Sequence, residues 1–487
     1  MKQPNIVLIV SDQHRGDWMQ CAGSPIVHTP NMDRMARDGV RFAQTYCNSP
    51  LCVPSRMSML TGRLPHNTGV FTNEDHLSAD KPTFAHAMAR AGYETVLCGR
   101  MHFNGADQRH GFAKRLVGDI SPSYLGGPGT DYGSLSGTAS QGLRSIHLAG
   151  PGNSPVIEYD RSVALAAEEF IKKRSQLSEE DRPLFMTVGF YGPHHPYVAP
   201  PDTYQQALEA MVQDSPLVRD QAPLHPWVQE WFRRLNASQL TDEQITEARM
   251  NYAGLVNQLD RLVGRILKSS KELPGDTWVA YVSDHGDMAG DRGMFWKRSL
   301  FEGAVRVPMI WFPLQQDQST FKLAQGRVVD VPVSLVDLAP TLVGLTGAPA
   351  LPHQDGVDLS GVLSEEIDTG LLKSLARRAV FTELAGSSDS AIRMVRKGTF
   401  KLVSYYGYSP VQLFDLESDP GEQTDLSTNP QYKEVYEELL QEIERDWNPE
   451  EILRSLEQMR LDQQYMAGWG KEVGMGRLEL WDENQPL

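Results

Sequence analysis

Five short runs of consecutive apolar residues punctuate the chain: Asn5 to Val10, Thr95 to Cys98, Leu184 to Phe190, Trp278 to Val282 and Met309 to Phe312. Each is strand-sized and apolar at odd and even positions alike, as expected of parallel strands covered on both faces. Helical spacing fills the intervals. Pro82 to Arg90 opens on proline and stops before Gly92, and Arg161 to Lys173 and Asp242 to Lys268 repeat apolar residues with helical period. Thr241 and Gln244 at the start of the last have the spacing of a capping box. Strands alternating with helices predict an α/β fold: a large doubly wound, mostly parallel sheet flanked by helices, with its site beyond the carboxyl ends of the strands.

The pattern changes near Pro349 to Gly356, where Pro, Gly and Asp gather. Beyond it, Ala379 to Leu384, Ile392 to Val395 and Phe400 to Tyr405 have hairpin spacing, and a helix is predicted from about Pro430 to Trp447. This predicts a catalytic unit over residues 1–355 and a smaller C-terminal α+β unit with a short antiparallel sheet over 356–487. Gly118 to Pro155, rich in Gly, Ser and Pro, reads as a long excursion over the site.

With 40% hydrophobic and 22% charged residues over 487 positions, the chain has the composition of a globular protein. A formal net charge of −16 argues against nucleic acid or an anionic membrane as partner, and modestly favours a cationic small substrate. A local cluster of cations can still hold an anion. Four cysteines in so long a chain are no disulfide framework. Met1-Lys2-Gln3-Pro4 runs into an apolar stretch too short for a secretory core, so the expected location is cytoplasmic. Homo-oligomerisation is left open.

Candidate chemistry lies at the ends of the predicted strands. Ile6 to Ser11 is closed by Asp12 and Gln13, and Val279 to Ser283 by Asp284, His285, Gly286 and Asp287. Carboxylates at a buried strand edge are costly unless paired, hydrogen-bonded or metal-bound. They read either as caps of following helices or as an oxygen-rich cation site. Cys52-Val53-Pro54-Ser55-Arg56 places a thiol just ahead of a helix that Pro54 helps start, where the dipole and Arg56 would depress its pKa. The alternative is a small buried residue before an ordinary helix. Arg100 and His102 follow the run Thr95 to Cys98, His194 and His195 follow Leu184 to Phe190, and Lys297 lies in Met294-Phe295-Trp296-Lys297.

Cys52-x-Pro-Ser-Arg56 followed by Leu60-Thr61-Gly62 resembles the signature of the type I sulfatases, within the alkaline-phosphatase superfamily. Further segments match in order: Gly99-Arg100-Met101-His102, Pro193-His194-His195-Pro196, Lys297, and Leu413-Phe414-Asp415-Leu416 with Asp419-Pro420. The resemblance implies a sulfuric ester hydrolase in which Cys52 is oxidised by a formylglycine-generating or sulfatase-maturing enzyme, the formylglycine hydrate being the nucleophile. It assigns Asp12, Gln13, Asp284, His285 and the modified Cys52 to one divalent cation, and Arg56, Arg100, His102, His194 and Lys297 to catalysis. Gln13 and His285 stand where many sulfatases carry Asp and Asn, and Arg100 where they carry Lys. Calcium is the first choice, with Mn2+ or Mg2+ as alternatives for so soft a donor set. The Asp-Gln and Asp-His versions look like choline sulfatases and phosphonate monoester hydrolases, and the segment His102 to Phe112 looks like choline sulfatases. The expected substrate is therefore a small sulfate monoester: choline sulfate, a sulfated sugar or an aryl sulfate. Alternatives are a phosphonate monoester or phosphodiester hydrolase, a direct cysteine-thiolate enzyme, and a silent binding protein on this fold. Choline's quaternary ammonium would need an aromatic cage, and Trp18, Phe103, Tyr124, Tyr132 and Trp296 lie in plausible loops for one.

Overall fold

The computed structural model describes residues 3–122, 125–126, 130–176, 182–214, 224–235, 239–387 and 390–473. Its strands in chain order are β1 (Asn5–Asp12), β2 (Val40–Tyr46), β3 (Glu94–Gly99), β4 (Lys114–Arg115), β5 (Gly150–Pro151), β6 (Leu184–Pro193), β7 (Val198–Ala199), β8 (Thr277–Ser283), β9 (Arg306–Gln315), β10 (Arg327–Val329), β11 (Val333–Ser334), β12 (Val380–Ser387), β13 (Ser390–Lys397), β14 (Phe400–Tyr405) and β15 (Gln412–Asp415).

One sheet dominates, in the order β10-β2-β9-β8-β1-β6-β3-β4, with β11 added beside β2. β1 runs parallel to both β6 and β8, and β3 parallel to β6. Along β1 the two side-chain rows enter different cores. Ile6, Leu8 and Val10 join one buried cluster, and Val7 and Ile9 join another on the opposite face. That two-sided burial is why the sequence shows an unbroken apolar run, and each such side chain contributes about 1.5–3 kcal/mol. The long helix Asp242–Ser270 is closed at its start by the expected Thr241–Gln244 capping box.

One expectation is corrected, and one strand is added to those expected. The apolar run at Met309 to Phe312 forms β9, which is antiparallel to both β2 and β8. A strand buried on both faces is apolar whichever way it runs, so the pattern carried no direction. β2 itself went unpredicted, because Arg41, Ala43 and Gln44 are only partly buried and break the run.

β12 to β15 form a separate four-stranded antiparallel sheet. The helices Lys433–Glu444 and Pro449–Val473 share its apolar cluster through Leu439, Ile443, Ile452 and Leu456. The second helix was not anticipated. β12 docks beside the start of the Cys52 helix: Glu383 N donates to Asn48 O (2.8 Å) and Thr382 Oγ1 to Cys47 O (2.5 Å). Among the described residues no helix is long and apolar enough to cross a membrane.

Candidate active site

Parallel register brings the two acidic strand ends together. Ser11 of β1 pairs with Ser283 of β8, so Asp12 and Asp284 emerge side by side at the carboxyl edge of the sheet. The chain then turns at Gln13 with φ of 71°, left-handed backbone that few non-glycine residues adopt. The Asp284 carboxylate accepts from Gln13 N (3.0 Å), His285 N (2.8 Å) and Arg56 Nε (2.8 Å). Asp12 and Asp284 thus hold other groups instead of capping regular helices.

The helix Cys52–Thr61 points its start at this edge, anchored by Ser55 Oγ donating to Asp284 O at 2.5 Å. Cys52 is its first residue rather than the residue before it. Around Sγ stand Lys297 Nζ at 2.8 Å, His285 Nε2 at 3.3 Å, Asp12 Oδ1 at 3.6 Å and Asn73 Nδ2 at 3.9 Å. The expected depression of the thiol pKa is overturned. Burial first, then the Asp12 carboxylate, pushes it up to about 11, against the opposing pull of Lys297 and Arg100. Arg56 is fully buried, and its donors go to Asp284, Asp12 and the carbonyls of Ser11 and Arg100.

β3 and β6 supply the neighbouring groups. Arg100 donates from Nε to Asp12 (2.6 Å), from Nη1 to Asp119 (2.7 Å) and Ser121 (2.8 Å), and meets His102 Nδ1 at 2.8 Å. Gly189 on β6 makes room for this crossing, since a Cβ there would strike the Arg100 carbonyl. His102 has φ of 57°, and its N–H is held by Asp119 at 2.8 Å. Burial, then Arg100, lowers the His102 pKa to about 3, so the ring is neutral at ordinary pH.

His194 follows β6. Its Nδ1 donates to His195 O at 2.7 Å, which leaves Nε2 to accept from Lys297 Nζ at 3.0 Å. Burial first, then His195 and Lys297, hold His194 well below the ordinary imidazole range. His285 has the same logic. Nδ1 donates to Gly286 O at 3.0 Å, so the Nε2 lone pair faces Cys52, and burial lowers its pKa to about 4.

The ligand atoms of Asp12, Cys52, Asp284 and His285 all lie within 4.8 Å of one another, and all four residues are buried. Gln13 completes the set in a way its sequence neighbourhood did not disclose. Its Nε2 donates to Asp287 (2.5 Å), while its buried Oε1 has no hydrogen-bond partner. An oriented amide oxygen without a partner, two carboxylates and a neutral imidazole are a donor set that fits a divalent cation. Asp287 fixes that amide. It also accepts from Tyr197 Oη (2.6 Å), Ala289 N (2.7 Å) and Trp296 N (2.9 Å).

Cys52, Arg100, His102, His194 and Lys297 line one cavity of about 1110 Å³. Its walls include Ser121, Pro122, Leu125 and Gly126 of the excursion, and Met459, Gln463, Met466 and Trp469 of the final helix. Gln463 ties that helix to Asp75 at 2.7 Å. Of the five aromatics in plausible cage loops, the four described ones do not converge here. Trp18, Phe103 and Trp296 are buried, Phe103 beneath Arg115 and against His110; Tyr132 does not line the cavity; Tyr124 lies outside the described residues. Instead the cavity has Tyr191 and Trp231, faced by the protein's own guanidiniums of Arg100 (4.4 Å) and Arg298 (5.6 Å), and Trp469.

Residues 4–348 match the family model described as Sulfatase. The chain belongs to the sulfatase family. Residues 290–448 also match a model described as N-sulphoglucosamine sulphohydrolase, C-terminal. The choline-sulfatase of Rhizobium meliloti is 33% identical over 450 residues, 88% of this chain and 83% of that one. An arylsulfatase of Clostridium perfringens is 29% identical over 461 residues, 89% and 92% of the respective chains. The solved phosphonate monoester hydrolase of Agrobacterium radiobacter superposes with a TM-score of 0.72 at 24% identity, covering 93% of this chain and 96% of that one. That likeness establishes the shared fold. The enzyme is thus a sulfuric ester hydrolase of a family that generally uses a divalent metal and formylglycine.

Proposed function

We propose that the enzyme hydrolyses a small sulfate monoester at the base of this cavity, with Cys52 as the formylglycine precursor. The observation that carries the reading is the position of Cys52 Sγ, 2.8 Å from Lys297 and 3.6 Å from Asp12, where the donor set and the cavity meet. When present, the cation and the hydrated aldehyde supply a fixed positive charge and a geminal diol nucleophile. Asp12, Gln13, Asp284 and His285 would hold the cation. Arg100 and Lys297 neutralise the sulfuryl oxygens as charge shifts toward the leaving oxygen. Arg56, its donors spent on two carboxylates, positions those carboxylates. His194 and Lys297 share a proton beside the cavity and pass it to the departing alcohol. His102 takes the proton whose removal releases sulfate at Nδ1, the nitrogen that here accepts from Arg100 and must leave that contact to act as base. Residues 1–355 carry this chemistry, and 356–487 contribute part of the cavity wall.

Phosphonate monoester hydrolysis is the second reading, favoured by the Gln13 and His285 donors. Choline sulfate belongs in the comparison because of the relative in Rhizobium meliloti, although two of the aromatics lining the cavity, Tyr191 and Trp231, already face the protein's own guanidiniums. The test pairs intact mass of the Cys52 peptide with kcat/KM for choline sulfate, a sulfated monosaccharide, 4-nitrophenyl sulfate and a phenyl phosphonate monoester. A lowered peptide mass and a sulfate ester preferred by about a hundredfold, ~2.7 kcal/mol, are expected. Full activity with an unmodified thiol, or more than a few per cent retained in Cys52→Ala, would sink the mechanism.

A further inference from the structure

The cations around the cavity differ in how fully their donors are used. Arg56 and Arg100 are spent on carboxylates and carbonyls, and Lys297 Nζ meets Cys52, His194 and His285. Arg298 is unlike them. It lines the same cavity and is partly buried, yet among the described residues no acceptor stands within hydrogen-bond or ion-pair distance of its guanidinium. Among the described residues it lies over the Trp231 ring, 5.6 Å away, which also lines the cavity.

The backbone places this group deliberately. Adjacent residues of an extended strand point to opposite sides. Lys297 and Arg298 nevertheless reach one cavity, because Trp296 (φ 64°) and Arg298 (φ 63°) both adopt left-handed backbone. Two such residues, one on each side of Lys297, are strained and persist where the surroundings enforce them. The carboxylate whose charge acts on Arg298 is that of Glu74, exposed at the rim; Asp75, Asp107 and Asp462 also line the cavity, none of them within ion-pair distance of the guanidinium. A half-desolvated guanidinium without a partner costs free energy that a ligand oxyanion would return.

We propose that Arg298, seated on Trp231, is a specificity-determining residue that binds a second oxyanion of the substrate, so that the preferred substrates are acidic organosulfates. The second group is a carboxylate or a further sulfate, both of which match the planar guanidinium fork. This rests on the sulfatase reading of the cavity. It also opposes choline sulfate, whose ammonium would meet a positive charge at this position.

The test uses three sugars differing only at C6: glucose 2-sulfate (hydroxymethyl), glucuronate 2-sulfate (carboxylate) and glucose 2,6-disulfate (second sulfate). Release at C2 is followed with the mature, metal-loaded enzyme and with Arg298→Met and Arg298→Lys. The expected result is a wild-type preference for one charged sugar over glucose 2-sulfate, with that kcat/KM ratio falling ~30-fold in Arg298→Met and partly restored in Arg298→Lys. Which charged sugar leads separates carboxylate from sulfate. Parallel calorimetry of the same sugars with Cys52→Ala protein reads the preference as binding, independently of turnover. An absent wild-type preference, or a ratio unchanged by Arg298→Met, overturns the proposal even if overall rates fall. Loss of all sulfate hydrolysis with the binding preference intact would instead count against the sulfatase reading.

Discussion

Replacing Asp119 by alanine is the sharpest test of how the cationic side of the site is held, because one carboxylate fixes two proposed catalytic groups. Its Oδ1 accepts from Arg100 Nη1 at 2.7 Å and its Oδ2 from the His102 N–H at 2.8 Å. Arg100 would keep its bond to Asp12 at 2.6 Å, so its charge stays in place while its tilt is freed. His102 would lose the bond that holds its left-handed backbone. A hydrogen bond to a charged group contributes about 1.5–3 kcal/mol, and half of that appearing in the transition state corresponds to roughly a 3- to 12-fold loss. Loosening two groups together should cost on the order of 10- to 100-fold in kcat/KM. Asp119→Asn, which keeps one acceptor oxygen, should fall between. The pH profile separates positioning from acid–base work. The neighbouring His102 has its pKa lowered to about 3, by burial first and then Arg100, while Asp119 opposes that shift. Removing Asp119 lowers it further, so the ring stays neutral and the profile between pH 5 and 8 should not move. The assay is 4-nitrophenyl sulfate hydrolysis over that range. Activity of Asp119→Ala within twofold of wild type, or a displaced acid limb, would refute the reasoning.

Chelation should abolish activity, and Asp12→Ala or Asp284→Ala should lose both bound metal, read by elemental analysis, and turnover; a fully active chelated enzyme contradicts the donor set. His14 offers a stability test away from turnover. It is buried between the Tyr281 hydroxyl (2.6 Å) and the Trp18 carbonyl (2.8 Å), and burial lowers its pKa to about 4. A depressed imidazole contributes stability that is full above its unfolded pKa near 6.5 and lost as pH falls toward 4. At pH 5 the loss is about 2 kcal/mol. Urea midpoints at pH 7.5 and 5 should therefore converge in His14→Gln relative to wild type, and an unchanged pH dependence would show that His14 is not the group titrating.

What could be read from the sequence was what physical chemistry forces onto neighbouring residues. Asp12 and Asp284 stood out because a carboxylate closing a doubly buried strand needs a partner, and Cys52 because Pro54 and Arg56 mark a helix start. Arg100 and His194 follow apolar runs, but it was the resemblance of their flanking segments to the family's phrases that assigned them to the site. Asp119, Asn73 and Asp287 were not legible as partners, since each acts from a loop whose contacts no periodicity encodes. The direction of β9 escaped for a related reason: burial sets composition, whereas direction is set by how the chain enters the strand. The helix Pro449–Val473 lay beyond the last predicted element, yet it supplies Met459, Gln463, Met466 and Trp469 to the cavity. The thiol pKa went the wrong way because helix-start arguments assume solvent nearby, and Cys52 is buried among carboxylates as well as cations.

The formal charges of the site carry the substrate argument one step further. The carboxylates of Asp12, Asp119, Asp284 and Asp287 face the cations Arg56, Arg100 and Lys297 in one connected set of contacts. The set by itself is one charge negative, and a divalent cation held by Asp12, Gln13, Asp284 and His285 would leave it one charge positive. A sulfate monoester, a single anion, cancels that remainder inside a low-dielectric pocket; a dianionic phosphate monoester would overshoot it. The same ledger admits phosphonate monoesters, also single anions, which is why they stay in the comparison. Arg298 lies outside this set and adds one further positive charge on the cavity wall; of the carboxylates that also line the cavity, Glu74, Asp75, Asp107 and Asp462, the exposed Glu74 is the one whose charge acts on it. A site neutralised by its own sulfate therefore still favours a second negative charge on the organic part of the substrate, at the position that Arg298 and Trp231 define.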